Sequence, residues 1–292
     1  MQLELRPLHP ALGVEVKGLD VSKPFSDEDV RTLRDAFDRH GLLLIRQRDV
    51  SAHDQRSLVE LFGPVRESQS HISNVEPDGY HPEWAMLFHS DYIFTENPVL
   101  GISLYPLELA PGCVPTRFAN LARAAATLPL ALRRRLEGLH LVHMISVAGD
   151  ASENVRQREE DLGGPDAPSS LNPRAIRPVL APHPRTGVEN LWVCEQQASH
   201  FVELSYAESD ALLAEIFEHI RGDPTFVYDH EWQMGDLVVW DNLMLVHGRR
   251  AAPKAVRRSF RRFTMTELTL AEILGGVEFG DGRRGPKAGS PD

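Results

Sequence analysis

Between residues 64 and 115 the chain carries ten prolines and glycines, set among short apolar stretches. Proline lacks the backbone donor that a helix needs, and glycine weakens a helix, so a segment interrupted this often is a poor helix former. Short apolar stretches between such residues are typical of β-strands joined by loops. We therefore expect strands and loops, rather than helices, throughout this segment.

Helical spacing of apolar residues predicts four helices outside that segment. Ser26 precedes one such stretch, acidic residues occupy its first turn, and Gly41 follows where a helix commonly ends. Ser205 and Glu208 form a capping-box pattern ahead of a long amphipathic stretch. The predicted helices cover residues 26–40, 51–62, 120–137 with an interruption at Pro129, and 206–221.

The remaining segments predict further strands, an insert and a tail. Strands are expected at residues 42–45, 226–230, 237–241 and 257–268.

Residues 147–176 are too polar for a core and too long for an ordinary connection, so they form either a mobile lid or insert or a passive surface loop. Residues 280–292 are predicted to be a disordered tail. Because single domains of this length are common, residues 1–279 are expected to form one domain.

The charge balance limits the kinds of partner. Lys and Arg total 31 against 42 Asp and Glu, a net charge of −11, so no overall positive field exists to attract nucleic acid or an anionic membrane. Neither a signal peptide nor a run of about 20 apolar residues is seen, which indicates a cytoplasmic protein.

Cys113 and Cys194 lie outside any CxxC motif and are predicted to be small buried hydrophobes. The sequence does not decide whether the chain forms a homo-oligomer.

The 13 histidines direct attention to metal chemistry. His89 and Asp91 follow a short apolar stretch, and residues i and i+2 of a strand point to the same face, so both side chains can bind one metal ion. A His-x-Asp triplet is expected by chance in a chain of this composition, so a third ligand is needed. His247, directly after an apolar strand, is the best candidate. Two histidines and one carboxylate are the facial triad of non-haem Fe(II) oxygenases.

Arginines cluster in the strand that follows His247. Arg258 and Arg262 share one face of the predicted strand. Arg257 and Arg261 share the other, so the pattern alone does not show which face is buried. If the Arg258 face lines an interior, its guanidinium groups require anionic partners, and carboxylates are the natural ones.

Several segments of the chain together resemble a known family, and they occur in the family's order. They are LRPLHPALGVEVKGLDVSKPFSDEDVRTLRDAFDRHGLLLIRQ, FGPV, FHSD, GCVPTRFANL, LEGLHLVH, APHPRTG and GDLVVWDNLMLVHGRR. Over nearly its whole length the chain resembles the taurine dioxygenase and 2,4-dichlorophenoxyacetate dioxygenase family of Fe(II)- and 2-oxoglutarate-dependent enzymes. The resemblance implies a mainly β fold with flanking helices, built on a double-stranded β-helix (a jelly roll, or cupin-like) core.

The resemblance also implies roles for individual residues. His89, Asp91 and His247 correspond to the iron ligands. Thr116 and Arg258 fall where the family holds the distal carboxylate of 2-oxoglutarate, and O2 is the remaining co-substrate. Arg262 falls where several members hold the anionic group of a small-molecule substrate. The alternative for Arg262 is that it pairs with an internal Asp or Glu.

Two further side chains lie where substrate contacts are plausible, namely His71 and Tyr92. It is equally well possible to explain His71 as a histidine in a surface loop and Tyr92 as a tyrosine packed in the core. His143 and His183 are expected to be structural histidines, as their flanks are apolar. Trp240 and Asp241 are expected to brace the strand that leads to His247, and Arg249 and Arg250 to be solvated surface charges.

The implied activity is hydroxylation of a small, anionic organic substrate, with release of succinate and CO2. Desaturation or ring formation with the same cofactors is the alternative within this family. Halogenation is disfavoured, since it needs the Asp91 position vacated for a halide. A Zn²⁺ hydrolase could use the same two histidines and one carboxylate, and a non-catalytic ligand sensor could share the fold. Succinate formation and O2 uptake dependent on Fe(II) and 2-oxoglutarate separate these classes.

Overall fold

The computed structural model describes residues 3–77, 79–80, 83–144 and 173–274. Its helices are α1 (Asp27–His40), α2 (Ala52–Val59), α3 (Leu121–Ala126), α4 (Leu130–Leu136), α5 (Tyr206–Gly222) and α6 (Leu270–Ile273). Its strands are β1 (Glu4–Pro7), β2 (Val14–Lys17), β3 (Leu42–Arg46), β4 (Ser70–Ser73), β5 (Met86–His89), β6 (Gly101–Leu109), β7 (Thr116–Asn120), β8 (His140–Met144), β9 (Arg174–Pro178), β10 (Leu180–Pro182), β11 (Glu189–Leu191), β12 (Ala198–Phe201), β13 (Val227–His230), β14 (Asp236–Asp241), β15 (Leu245–Arg249) and β16 (Arg258–Met265). Within these ranges no helix has both the length and the apolar character of a membrane span.

The predicted helix signals are confirmed at α1 and α5. Ser26 caps α1 through a capping box, and Gly41 ends it in the left-handed conformation with φ of 70°. Ser205 and Glu208 form the predicted capping box of α5. The predicted third helix is interrupted around Pro129, where α3 and α4 separate.

The helix α2 is shorter than predicted and ends at Val59 instead of residue 62. The N–H of the C-cap residue Glu60 still bonds to the Arg56 carbonyl, but the next two N–H groups bond to carbonyls three residues back, Leu61 to Leu58 and Phe62 to Val59. These tighter turns end the α-helix although its apolar spacing continues.

A seven-stranded sheet forms one layer of the fold, with the order β1-β2-β3-β14-β6-β16-β4. Its central strands are apolar on both faces. In β14, Leu237 and Val239 pack on one side of the sheet, while Val238 and Trp240 pack on the other. This arrangement explains why the strand is a continuous apolar run instead of an alternating one.

A four-stranded sheet, β13-β7-β15-β5, faces the seven-stranded sheet across a shared core. Phe118 of β7 meets Trp240 of β14 edge to face, with ring centroids 5.3 Å apart. Two facing sheets with a common apolar interior are the predicted jelly-roll core. The prediction of a mainly β fold with flanking helices is confirmed.

Helices cover the outer faces of both sheets. The side chains of α1 and α2 pack on the seven-stranded sheet. The side chains of α3, α4 and α5 pack on the outer face of the four-stranded sheet, beside the small sheet β12-β8-β9. Each sheet therefore has its second apolar face covered, and the interior between the sheets is left for the site.

Some sequence predictions fall partly outside the described residues. The predicted insert at 147–176 lies mostly there, although its last residues, from Arg174 onward, belong to β9 and pair with β8. The predicted tail at 280–292 lies outside altogether. Of the two free cysteines, Cys194 is buried as predicted, while Cys113 is half-buried.

Candidate active site

Pairing of β5 with β15 brings the two predicted histidine ligands together. His89 and His247 are directly opposite each other in this antiparallel ladder, with ring centroids 4.2 Å apart. The ladder is irregular just after His247, where a Cβ added to Gly248 would lie 2.6 Å from the carbonyl oxygen of Met86. Glycine at position 248 therefore permits the close approach of the two strands that pairs the histidines.

Asp91 completes the cluster from the turn that follows β5. Its Oδ1 lies 3.4 Å from His89 Nε2 and 3.7 Å from His247 Nε2. One ligand atom from each of the three residues lies within 4.8 Å of the other two. His89 Nδ1 lies 2.9 Å from the carbonyl oxygen of Leu87, so Nδ1 is the donor of this hydrogen bond and Nε2 is the ring nitrogen that faces Asp91. The donor set fits a 2-His-1-carboxylate iron site.

The electrostatic environment keeps Asp91 and His247 in their metal-binding protonation states. Burial raises the pKa of Asp91, but the guanidinium of Arg262 and the two imidazoles outweigh that effect and lower it below its ordinary value. Burial, with a contribution from His89, lowers the pKa of His247 to about 3. A carboxylate and a neutral imidazole are therefore present near neutral pH, as metal binding requires.

Two buried amide side chains hold the backbone around Asp91. Asn242 accepts from the Asp91 N–H at 2.9 Å and donates to the Asp91 carbonyl at 3.0 Å. Gln197 makes the same pair of bonds to Ser90, at 3.3 Å and 3.0 Å. The Ser90 hydroxyl donates to the Asn242 carbonyl at 2.6 Å. Sequence analysis missed both amides, because neither titrates and neither binds metal.

The strand β16 separates its arginines onto two faces, as the period-2 pattern predicted. Arg261 bonds to Gln55 Oε1 at 2.7 Å and to the Val50 carbonyl at 2.6 Å, under α2. On the other face, the Nη2 of Arg262 lies 2.5 Å from Asp91 Oδ2. The Arg258 and Arg262 face is therefore the interior one, and Arg262 has a protein carboxylate as its partner.

Arg258 is a buried cation, 2% exposed, whose guanidinium lies over the Phe260 ring at 4.7 Å. Its Nη1 donates a hydrogen bond to the Val114 carbonyl at 3.5 Å, and among the described residues its Nε has no hydrogen-bond partner. Burial lowers its pKa. A buried guanidinium with an unused donor fits a carboxylate ligand.

Thr116 begins β7 and is almost fully buried. It lies two residues before Phe118, which is the ladder partner of His247. Alternation along the strand places Thr116 and Phe118 on the same interior face. Its hydroxyl accepts a hydrogen bond from the indole N–H of Trp232 at 2.9 Å.

The two suggested substrate residues differ in placement. Tyr92 directly follows Asp91, has a φ of 59°, and packs 6.0 Å from Phe94. A left-handed conformation is uncommon for a tyrosine, and such backbone strain is concentrated at functional sites. His71 lies opposite Arg261 in the β4–β16 ladder, so its side chain lies on the face of the sheet away from Arg262. This register gives no support to a substrate contact by His71.

The expected bracing of the His247 strand is seen at Trp240 and Asp241. The Trp240 ring meets the His247 ring edge to face at 5.1 Å. The carboxylate of Asp241 accepts from the backbone N–H of Leu243 and of Met244, both at 2.9 Å, and so holds the turn into β15. His183 Nε2 lies 3.3 Å from the same carboxylate.

Two other predicted placements have different outcomes. His143 and His183 are buried at structural positions, as expected. Arg249 was expected on the surface, and this is wrong: it is 7% exposed and donates to the Trp84 carbonyl at 3.1 Å. Because β15 extends through Arg249, that residue lies inside the fold, whereas Arg250 is exposed.

Comparisons with known proteins agree with this site. The model of the family described as "Taurine catabolism dioxygenase TauD, TfdA family" matches residues 4–264. The chain is 29% identical over 289 residues to the alpha-ketoglutarate-dependent 2,4-dichlorophenoxyacetate dioxygenase of Cupriavidus pinatubonensis, covering 90% of this chain and 98% of that protein. It is 31% identical over 277 residues to the pentalenolactone F synthase of Streptomyces avermitilis, covering 86% of this chain and 90% of that protein.

Solved structures share the fold. One is AAD-2 in complex with Mn(II) and N-oxalylglycine, with a TM-score of 0.77, 24% identity, and coverage of 91% of this chain and 98% of that one. Another is a taurine dioxygenase from Burkholderia xenovorans, with a TM-score of 0.71, 22% identity, and coverage of 99% and 96%. The chain therefore belongs to the taurine catabolism dioxygenase TauD, TfdA family, and like its alpha-ketoglutarate-dependent relatives it is a dioxygenase that uses Fe(II), 2-oxoglutarate and O2.

Proposed function

We propose that this dioxygenase hydroxylates a small organic substrate that carries an anionic group, and that Arg262 binds this group. The observation that carries the proposal is the interior face of β16, which bears both Arg258 and Arg262 and on which Arg262 contacts Asp91 of the metal-ligand cluster. One guanidinium suffices for the co-substrate, and the other is available to a second anion.

His89, Asp91 and His247 are the residues that we assign to Fe(II). With 2-oxoglutarate and O2, the bound iron supplies an oxidant able to break a C–H bond, with release of succinate and CO2. The surrounding residues keep the His247 imidazole neutral and the Asp91 carboxylate ionised, and the β5–β15 pairing holds both histidines beside Asp91. A metal ion held by these three side chains would still be able to take ligand atoms from the co-substrates.

Arg258 and Thr116 are the residues that we assign to the distal carboxylate of 2-oxoglutarate. Arg258 offers a buried charge with an unused donor, and Thr116 offers a hydroxyl whose oxygen already accepts from Trp232. Charge-assisted bonds to a desolvated carboxylate are about twice as strong as neutral ones. The pair would hold the far end of the molecule while the keto acid end meets the metal.

Arg262 can bind an anion without giving up Asp91. A guanidinium has five N–H donors in a planar fork, and the contact to Asp91 Oδ2 uses Nη2. The net charge of −11 repels anions from the protein as a whole, so a local cation would be the main attraction for an anionic substrate. The name of one relative's substrate, 2,4-dichlorophenoxyacetate, is that of a carboxylate.

A second outcome of the same chemistry is desaturation or ring formation. The 31% identity to pentalenolactone F synthase favours keeping it as the alternative, since that name is one of a biosynthetic enzyme. Mass spectrometry of the product separates the two, because hydroxylation adds one oxygen atom while desaturation or ring closure removes two hydrogen atoms.

The test is succinate release from a panel of aryloxyacetates, sulfonates, alkyl sulfates and amino acids, each paired with its neutral amide or ester. We expect the anionic member of a pair to be preferred by wild-type enzyme, and Arg262→Gln to remove most of that preference. The affinity for 2-oxoglutarate should change little. A preferred substrate without negative charge, or an unchanged preference in Arg262→Gln, would contradict the proposal.

A further inference from the structure

We infer that Trp232 is a positioning residue for 2-oxoglutarate, which orients the hydroxyl of Thr116 toward the distal carboxylate. The inference rests on the proposed co-substrate site. Trp232 lies between β13 and β14, outside the motifs that carry the family resemblance. Neither the metal cluster nor the substrate arginine involves it.

The contact between Trp232 and Thr116 has a fixed direction. The indole nitrogen lies 2.9 Å from Thr116 Oγ1, and an indole N–H can only donate. The Thr116 oxygen is therefore the acceptor in this bond. The hydroxyl proton therefore points away from Trp232. It can be donated to an acceptor such as a carboxylate oxygen.

Trp232 also supports Arg258, the other residue that we assign to the distal carboxylate of 2-oxoglutarate. Its ring meets the Phe260 ring edge to face, with centroids 4.6 Å apart. The guanidinium of Arg258 lies 4.7 Å from the centroid of that same Phe260 ring. One indole thus contacts Thr116 directly and reaches Arg258 through a single aromatic ring, so it can set the spacing of both donors.

Buried contacts of His230 and Asp236 hold Trp232 in place from behind. His230 is the ladder partner of Thr116 and packs edge to face on the Trp232 ring, with centroids 4.6 Å apart. His230 Nε2 lies 3.2 Å from Asp236 Oδ2, and Asp236 Oδ1 accepts from Arg46 Nε at 3.1 Å. These contacts restrict the rotation of the indole and so fix the direction of its N–H.

The physical consequence is a donor that is oriented before the ligand arrives. A hydroxyl with no fixed partner rotates among several acceptors, and ordering it costs affinity when the ligand binds. Because one of its two acceptor positions is occupied by Trp232, the Thr116 hydroxyl has lost part of that freedom in advance. The resulting gain in affinity depends on the distal carboxylate of the ligand and not on the end of the ligand that binds metal.

The experiment compares two ligands of the Mn(II)-loaded enzyme by isothermal titration calorimetry. N-oxalylglycine has both the metal-binding end and the distal carboxylate, whereas oxalate has only the metal-binding end. Trp232→Phe keeps the ring and removes the N–H. We expect it to weaken N-oxalylglycine by roughly threefold to tenfold, the usual value of one hydrogen bond, with oxalate affinity unchanged.

Thr116→Val should also weaken N-oxalylglycine selectively, and the double variant should be no weaker than Thr116→Val, because the two residues act through one proton. Trp192→Phe is the matched control, since it removes an indole N–H bond to the Ala181 carbonyl in another part of the fold. It should leave both affinities unchanged.

Equal losses for N-oxalylglycine and oxalate in Trp232→Phe would overturn the inference, since they would show general damage to the site. Additive losses in the double variant would overturn it too, because Trp232 would then act independently of Thr116. Failure of the wild-type enzyme to bind N-oxalylglycine at all would instead contradict the proposed co-substrate site itself.

Discussion

The guanidinium of Arg262 lies 2.5 Å from Asp91 Oδ2, while Asp91 Oδ1 faces His89 and His247. The two oxygens of one carboxylate thus have different partners, a cation on one side and the metal-ligand cluster on the other. This arrangement favours metal ligation through Oδ1 alone, because Arg262 occupies the second oxygen.

Breaking this pair from one side should destabilise the metal-free protein. In Asp91→Ala the largely buried guanidinium of Arg262 loses its partner, and we expect the free energy of unfolding to fall by about 2–4 kcal/mol. Adding Arg262→Met should restore part of the loss. Chemical denaturation of the single and double variants measures the coupling. The exposed pair Arg257–Glu108 is the control and should show no measurable coupling. Strictly additive effects at Asp91 and Arg262 would disprove the pairing.

Asn242→Ala should weaken metal binding by about tenfold or more, although Asn242 is not a ligand. Its amide makes both hydrogen bonds to the Asp91 backbone, and partners of metal ligands typically contribute on that scale. Equilibrium titration with Mn(II) checks this. The matched control is Asn190→Ala, which removes another buried amide, bonded to the Leu243 carbonyl at 2.7 Å. Equal losses of Mn(II) affinity in both variants would show a general effect of destabilisation.

Arg258→Gln should weaken N-oxalylglycine by about tenfold or more, because a charge-assisted pair in a buried site is worth upward of about 1.5 kcal/mol. Arg261→Gln is a stringent control, since Arg261 lies on the same strand with its side chain on the opposite face, bonded to Gln55. That change should lower the melting temperature but leave the affinity for N-oxalylglycine nearly unchanged. Unchanged affinity in Arg258→Gln would reassign the co-substrate site.

His143 should make the stability of the fold sensitive to acid. Burial, with a contribution from Arg177, lowers its pKa to about 3, against about 6.5 for an unfolded histidine. Below about pH 6.5 the unfolded state therefore binds the extra proton, and the free energy of unfolding falls as the pH is lowered toward 3. His143→Leu should flatten this dependence by up to about 1.4 kcal/mol per pH unit. Denaturation at pH 7.0 and pH 5.5 measures the slope, and an unchanged slope would contradict the shift.

The parts of the site that were predictable from the sequence depend on local spacing. His89 and Asp91 are two residues apart, so the sequence predicted that they converge as neighbours on one strand. They do converge, but Asp91 lies in the turn after β5, where Asn242 holds its backbone. His247 is different, because its pairing with His89 depends on the register between β5 and β15, which local sequence does not encode. Its place after an apolar strand made His247 a candidate, and the order of motifs along the whole chain supported the assignment.

The features that the sequence did not predict depend on tertiary contacts. Arg249 follows an apolar strand in an Arg-Arg pair, which is typical of a surface, and only the continued pairing of β15 buries it. The amides of Asn242 and Gln197 reach the Ser90–Asp91 backbone from distant loops, so no spacing rule connects them. The early end of α2 is likewise set by turns after Val59, where the apolar pattern continues.

The most direct test of the central claim is succinate formation from 2-oxoglutarate in the presence of Fe(II) and O2, compared between wild-type enzyme and Asp91→Ala. We predict that wild-type enzyme forms succinate only when all three are supplied and that Asp91→Ala, shown by circular dichroism to be folded, forms essentially none. Succinate formation by Asp91→Ala at the wild-type rate would contradict the assignment of His89, Asp91 and His247 as the iron site.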